Sequence, residues 1–119
     1  INDQTIPQLK VEIVAGAANN QLLEDRHGDE LTAKGILYAP DYVANAGGVI
    51  NVYSELTGWS RERSLRKADE IYETVLSVFR LAKETGLPTY KAADRVAEQR
   101  IAAVRGMIRT WPQYPNKES

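Results

Sequence analysis

Two short apolar runs flanking a helical segment constrain this chain more than any other feature. Leu9 to Ala15 reads Leu-Lys-Val-Glu-Ile-Val-Ala and stops at Gly16, the pattern of a short buried strand followed by a sharp turn. Ile36 to Ala39 gives a second strand. Between them Asp29 to Lys34 has helical composition and closes at Gly35, a residue suited to the left-handed position after a helix. Strand, helix, strand predicts a parallel pair and places the chain in the α/β class. Two strands cannot hide both faces of a parallel sheet, which needs covering helices and further strands. The sheet is therefore expected to be completed from elsewhere. Its cut edge carries unpaired amides that invite a missing segment or a second copy of the chain, so self-association or company from its other half is expected.

The remainder reads as helix. After Pro40-Asp41 a helix is predicted from about Asn45 to Leu56, with Val49, Val52, Tyr53 and Leu56 on one face and Gly58 as its stop. From Arg61 to Thr85 the residues Leu65, Ala68, Ile71, Tyr72, Val75, Leu76, Phe79 and Ala82 form an apolar stripe, ended by Gly86 and Pro88. Thr89 can cap a last helix whose stripe is Ala93, Ala97, Ile101, Val104 and Ile108. Pro112 and Pro115 stop regular structure, and the tail 112–119 is expected to fray.

Composition narrows the function. Fifteen Lys and Arg against sixteen Asp and Glu leave a net charge of −1, with no basic stripe to track a phosphate backbone, which argues against nucleic acid as a partner. No apolar run approaches the roughly 20 residues that span a bilayer, so a cytoplasmic setting without membrane is expected. The absence of cysteine excludes thiolate catalysis, disulfides and sulfur-based zinc sites, and one histidine leaves little for an imidazole cluster. His27 lies in the polar stretch Glu24 to Glu30 and reads as a solvated surface residue. Asp94 and Arg95, with Glu98 and Arg100 nearby, read as a solvated helix face with weak ion pairs. Trp59 is either an interface anchor or a covered loop residue.

Two segments could carry chemistry. Gly16-Ala17-Ala18-Asn19-Asn20 sits at the C-terminal end of the first strand, where open α/β sheets bind ligands. Small residues there let a flat ring approach the backbone, and an asparagine offers a donor and an acceptor to a planar amide such as a nicotinamide carboxamide. An ordinary strand-to-helix turn also favours Gly and Asn, and the local residues alone favour that plainer reading. The second segment, Tyr38 to Val52, lies beside it at the same sheet edge and contains the pair Gly47-Gly48 near a helix start. Each such glycine costs a helix about 1 kcal/mol relative to alanine, which is explained either by close approach of a ligand or backbone or by tight helix packing. Val49 and Val52, three apart, share a helix face and suit either an apolar side-chain pocket or plain core.

At these segments, Val14 to Leu22 and Gly35 to Val52, the chain resembles the Glu/Leu/Phe/Val amino acid dehydrogenases. Tyr90 to Glu98 and the opening Ile1 to Leu9 extend the likeness over nearly the whole sequence. The resemblance, strongest to branched-chain members, implies oxidative deamination of an L-amino acid to a 2-oxo acid and ammonia, with hydride passing to NAD. It implies the second half of a Rossmann-type domain over 1–57, a helical segment packing on it over 58–111, and a homo-oligomer. It places Ala18 and Asn19 beside the nicotinamide, Asn45 where cofactor and substrate meet, and Val49 and Val52 beside the aliphatic side chain of leucine or a related amino acid. An unpaired glutamate carboxylate would be costly between two valines. No Gly-x-Gly-x-x-Gly follows a strand, and nothing matches the family's catalytic lysines and aspartate. No catalytic residue is therefore assigned here, and the chain is expected to be inactive without a missing N-terminal part. Two other expectations stand beside it: a noncatalytic Rossmann-like interaction module that kept these loops but lost the chemistry, and, within the family, a fragment of a member that acts on phenylalanine or valine.

Overall fold

A computed structural model describes the backbone of residues 1–110 and the side chains of residues 1–106. A 3-10 turn at Ile6–Gln8 leads to β1 (Ile13–Val14), α1 (Arg26–Ala33), β2 (Leu37–Tyr38), α2 (Asp41–Ala44), α3 (Gly47–Thr57), α4 (Arg61–Thr85) and α5 (Thr89–Thr110). The expected stops at Pro112 and Pro115, the tail 112–119 and the side chain of Ile108 lie outside the described residues.

The strands pair in parallel, Ile13 opposite Leu37 and Val14 opposite Tyr38, as the strand–helix–strand order requires. The amides of Leu37 and Ala39 donate to the carbonyls of Glu12 and Val14, both at 2.8 Å. Both strands are shorter than the apolar runs that encode them. β2 is bounded by the Gly35 turn, at φ 72°, and by Pro40, which has no amide to donate and heads α2. β1 pairs only as far as β2 reaches, and Leu9 closes the 3-10 turn instead of opening a strand.

One apolar cluster joins Ile6, Leu31, Ile36 and Tyr38, with Leu9, Val14 and Leu22 packed against it, so α1 and the N-terminal turn share a core with the sheet. Ile13, on β1, is 59% exposed, and no described element covers it. A second cluster joins Val78 and Ala82 of α4 to Ala92 and Ala93 of α5. These small side chains let the two helices approach closely. Gly28 links the clusters, because a Cβ there would stand 2.6 Å from the Tyr90 ring.

The helix periods are as predicted, and Phe79, Ala82 and Ala93 of the predicted stripes lie in or against the second cluster, but other stripe residues do not bury. The helix predicted from about Asn45 to Leu56 is α3, Gly47–Thr57, while the short α2 ahead of it was not predicted, and α1 starts at Arg26, ahead of the predicted Asp29. Val49, Val52, Tyr53 and Leu56 are all exposed, and the buried residue of α3 is Ser54. Leu65 and Tyr72 of α4 and Ala97, Ile101 and Val104 of α5 are exposed as well. Thr89 is the first residue of α5, and the carbonyl of Pro88 ahead of it accepts from the Ala92 amide. The Cα radius of gyration is 18.2 Å, against about 14 Å for a compact domain of this length. Parts of the apolar stripes thus lie open on an elongated body.

His27 overturns the expectation of a solvated residue, since it is fully buried. Its Nδ1 accepts the Glu24 amide at 3.0 Å, and its Nε2 lies 3.3 Å from Asp3 Oδ1. The Arg26 guanidinium grips both Asp3 oxygens at 2.6 and 2.7 Å and holds that carboxyl down at about 2. The polar stretch is thus a clamp that ties the N-terminal turn to α1. Asp3, His27 and Glu30 bring possible metal-ligand atoms within 4.8 Å of one another, but Arg26 already bridges both carboxylates and supplies the compensating charge.

Candidate functional site

The two chemistry-bearing segments meet at the carboxyl ends of the strands. Asn45 Nδ2 donates to Asn19 Oδ1 at 2.6 Å, directly joining two residues assigned from the sequence. A second link lies beside it. Asn20 adopts φ 53°, a left-handed conformation that asparagine tolerates better than most residues, and its amide donates to Asp41 Oδ2 at 2.8 Å. The other Asp41 oxygen accepts the Tyr38 hydroxyl at 2.7 Å. Asp41 was missed as a site residue; the only signal was an acidic residue at a helix head after proline, a position any first helical turn favours.

Ala18 is exposed beside Asn19. Gly47 and Gly48 have ordinary backbone angles, and nothing lies within 4 Å of a Cβ built at either. Neither a turn nor tight packing within the described residues accounts for them. Val49 and Val52 follow on α3 at 74% and 58% exposure, so the described residues do not enclose them in a core or a pocket. The structure therefore joins Asn19 to Asn45, leaves Ala18 open beside them, and carries the valine pair on the next helix.

Supporting contacts fix these helices. Trp59, whose role the sequence left open, meets Tyr53 edge-on at 5.1 Å between ring centroids, and Arg63 lies 4.1 Å over its ring. This brace ties the end of α3 to the start of α4. Ser60 Oγ caps α4 by accepting the Arg63 amide. The Tyr42 hydroxyl donates to the Tyr90 carbonyl and to Asp94 Oδ1, both at 3.1 Å, so Asp94 braces α2 as well as facing solvent.

Burial, and then the hydrogen bond to Asp41, push the Tyr38 phenol up to about 12. Burial, and then Asp94, also raise Tyr42. The fold holds these phenols neutral, so their contribution to stability is complete below about pH 10 and is lost as pH rises towards 12. Denaturant midpoints measured up a pH series should fall across that window, and Tyr38→Phe should make the fall shallower. An unchanged slope in the variant would contradict the assignment of Tyr38.

Two parallel strands with helices packed around them, and an uncharged amide pair at the strands' carboxyl ends, define an α/β protein. The profile of the Glutamate/Leucine/Phenylalanine/Valine dehydrogenase family matches residues 1–107, and the chain belongs to that family. It is 58% identical over 113 residues to leucine dehydrogenase of Thermoactinomyces intermedius, covering 95% of this chain and 31% of that protein. Leucine dehydrogenase of Geobacillus stearothermophilus is 59% identical over 105 residues, 88% of this chain and 29% of that one. The crystal structure of L-tryptophan dehydrogenase from Nostoc punctiforme is similar with a TM-score of 0.85 at 50% identity, over 87% of this chain and 31% of that chain. The chain thus spans about 30% of the length of the curated relatives it matches. Among the described residues no helix is long and apolar enough to cross a membrane.

Proposed function

We propose that this chain supplies the second half of a Rossmann-type cofactor domain, 1–57, and the helical segment that packs on it, 58–111, in an NAD-dependent branched-chain L-amino acid dehydrogenase acting on leucine. The reaction takes hydride from the amino acid Cα, and water then releases the 2-oxo acid and ammonia. When bound, NAD supplies the hydride acceptor. The observation that carries this reading is the Asn19–Asn45 pair. With Asn19 Oδ1 engaged by Asn45 Nδ2, the Asn19 NH2 group and Asn45 Oδ1 remain as a neighbouring donor and acceptor. A nicotinamide carboxamide needs that complement. Ala18 adds little bulk beside the pair, and the bare backbone of Gly47 and Gly48 leaves room for close approach.

Asn45 also stands where the amino acid would meet the cofactor, and Val49 and Val52 would flank its aliphatic side chain. The family relation supports an oxidoreductase; the valine pair supports an apolar substrate over a charged one. No glycine-rich fingerprint and no match to the catalytic lysines lie in this chain, so the pyrophosphate and the proton transfers are served by other parts of the parent protein. The exposed apolar residues of α3, α4 and α5, among them Val49, Leu65, Tyr72 and Ile101, are surfaces for those parts and for further subunits of a homo-oligomer.

Titrating the isotope-labelled chain with nicotinamide mononucleotide tests the site. This probe carries the nicotinamide without the adenosine half of NAD. The largest shifts in the amide spectrum are expected at Ala18, Asn19 and Asn45. Shifts centred elsewhere, with these three unmoved, would overturn the assignment.

A further inference from the structure

We infer that Asp41 is a positioning residue, whose carboxylate holds the loop after β1 in the geometry that presents Asn19 and Asn45 to a planar amide ligand. This rests on the nicotinamide reading of the site. The loop has one costly feature, the left-handed backbone at Asn20, φ 53°. Asparagine tolerates that conformation, but an exposed loop needs an added contact to stay in it. The Asn20 amide has one, donating to Asp41 Oδ2 at 2.8 Å from 21 residues away in sequence. Asn19 precedes Asn20 directly, so fixing the Asn20 amide fixes the peptide from which the Asn19 side chain projects.

Asp41 is itself held. Its Oδ1 accepts the hydroxyl of Tyr38, a residue of β2 only 2% exposed, at 2.7 Å. Its backbone amide lies 3.3 Å from the same hydroxyl oxygen. The carboxylate thus spans from the buried end of β2 to the loop leaving β1. Asn45 lies one helical turn beyond Asp41, and its amide donates to the Asp41 carbonyl at 2.7 Å. Asp41 therefore orders both members of the pair, Asn19 through its side chain and Asn45 through its backbone. Only the first arm is removed by substitution, so the loop should lose its place while α2 persists.

The test compares the full chain with Asp41→Ala and Asp41→Asn by amide hydrogen exchange and by titration with nicotinamide mononucleotide. Asp41→Ala deletes both acceptors; Asp41→Asn keeps one carbonyl oxygen and should rescue in part. In Asp41→Ala, exchange at Asn20 is expected to rise about tenfold or more while α4 amides are unchanged, and the nucleotide should bind about tenfold more weakly. Asp41→Asn should fall between. Unchanged exchange at Asn20 in Asp41→Ala overturns the inference, and so does faster exchange with unchanged nucleotide affinity. If the unsubstituted chain does not bind the nucleotide, the nicotinamide reading falls and ligand presentation by Asp41 falls with it. The exchange arm then still decides whether Asp41 holds the loop.

Discussion

Replacing His27 by alanine is expected to lower the unfolding free energy by about 2–4 kcal/mol, although the residue sits in one of the most polar stretches of the chain. The imidazole is fully buried, so truncation opens a cavity. It also strips the acceptor from the Glu24 amide, a part-buried bond of 3.0 Å at the turn into α1. The neighbouring Arg26–Asp3 pair has better ion-pair geometry, with contacts of 2.6 and 2.7 Å, but both side chains are about half exposed and solvent screens them. Arg26→Ala should therefore cost much less than His27→Ala, the reverse of what contact distance alone suggests. Urea midpoints of the two variants decide it. A His27→Ala midpoint equal to that of the unsubstituted chain would mean that the clamp does not hold the N-terminal turn.

The other large effect concerns function and leaves the fold alone. Val49 is 74% exposed in this chain, so Val49→Glu should change the stability of the isolated chain by no more than about 0.5 kcal/mol. In the dehydrogenase proposed above the same side chain would line the leucine pocket, where an unpaired carboxylate would be desolvated against an apolar substrate. There Val49→Glu is expected to lower kcat/KM for leucine by about a thousandfold. Val52→Ala, which only removes methyl groups, should cost about 10- to 100-fold. A fold-neutral substitution that abolishes leucine turnover separates a substrate pocket from ordinary core. If Val49→Glu leaves turnover intact, these valines are not at the substrate.

The same separation explains what could be read in the sequence. The bounds of α4, Arg61 to Thr85, were legible because local chemistry sets both ends: Ser60 caps the first turn and Gly86 takes the left-handed position after the last, at φ 69°. That the two chemistry-bearing segments lie side by side was legible from their places at one edge of a parallel pair, while the hydrogen bond between Asn19 and Asn45 was not. Strand lengths were not legible, because a ladder ends where its partner ends, and Pro40 ends β2. The buried side of α3 was not legible either. Periodicity marks an apolar stripe but not what covers it, and no described element covers Val49, Val52 and Leu56. His27 and Asp41 were hidden for one reason: polar residues declare a structural role only through partners distant in sequence, Asp3 for one and Asn20 for the other.

The most direct measurement is NADH formation by the longer protein that carries this chain, with L-leucine, L-valine, L-phenylalanine and L-glutamate each offered with NAD, and with the isolated chain assayed alongside. Leucine is expected to give the highest kcat/KM and glutamate a value at least about 100-fold lower, with no turnover by the isolated chain. Preference for glutamate, or turnover by the isolated chain, would contradict the account.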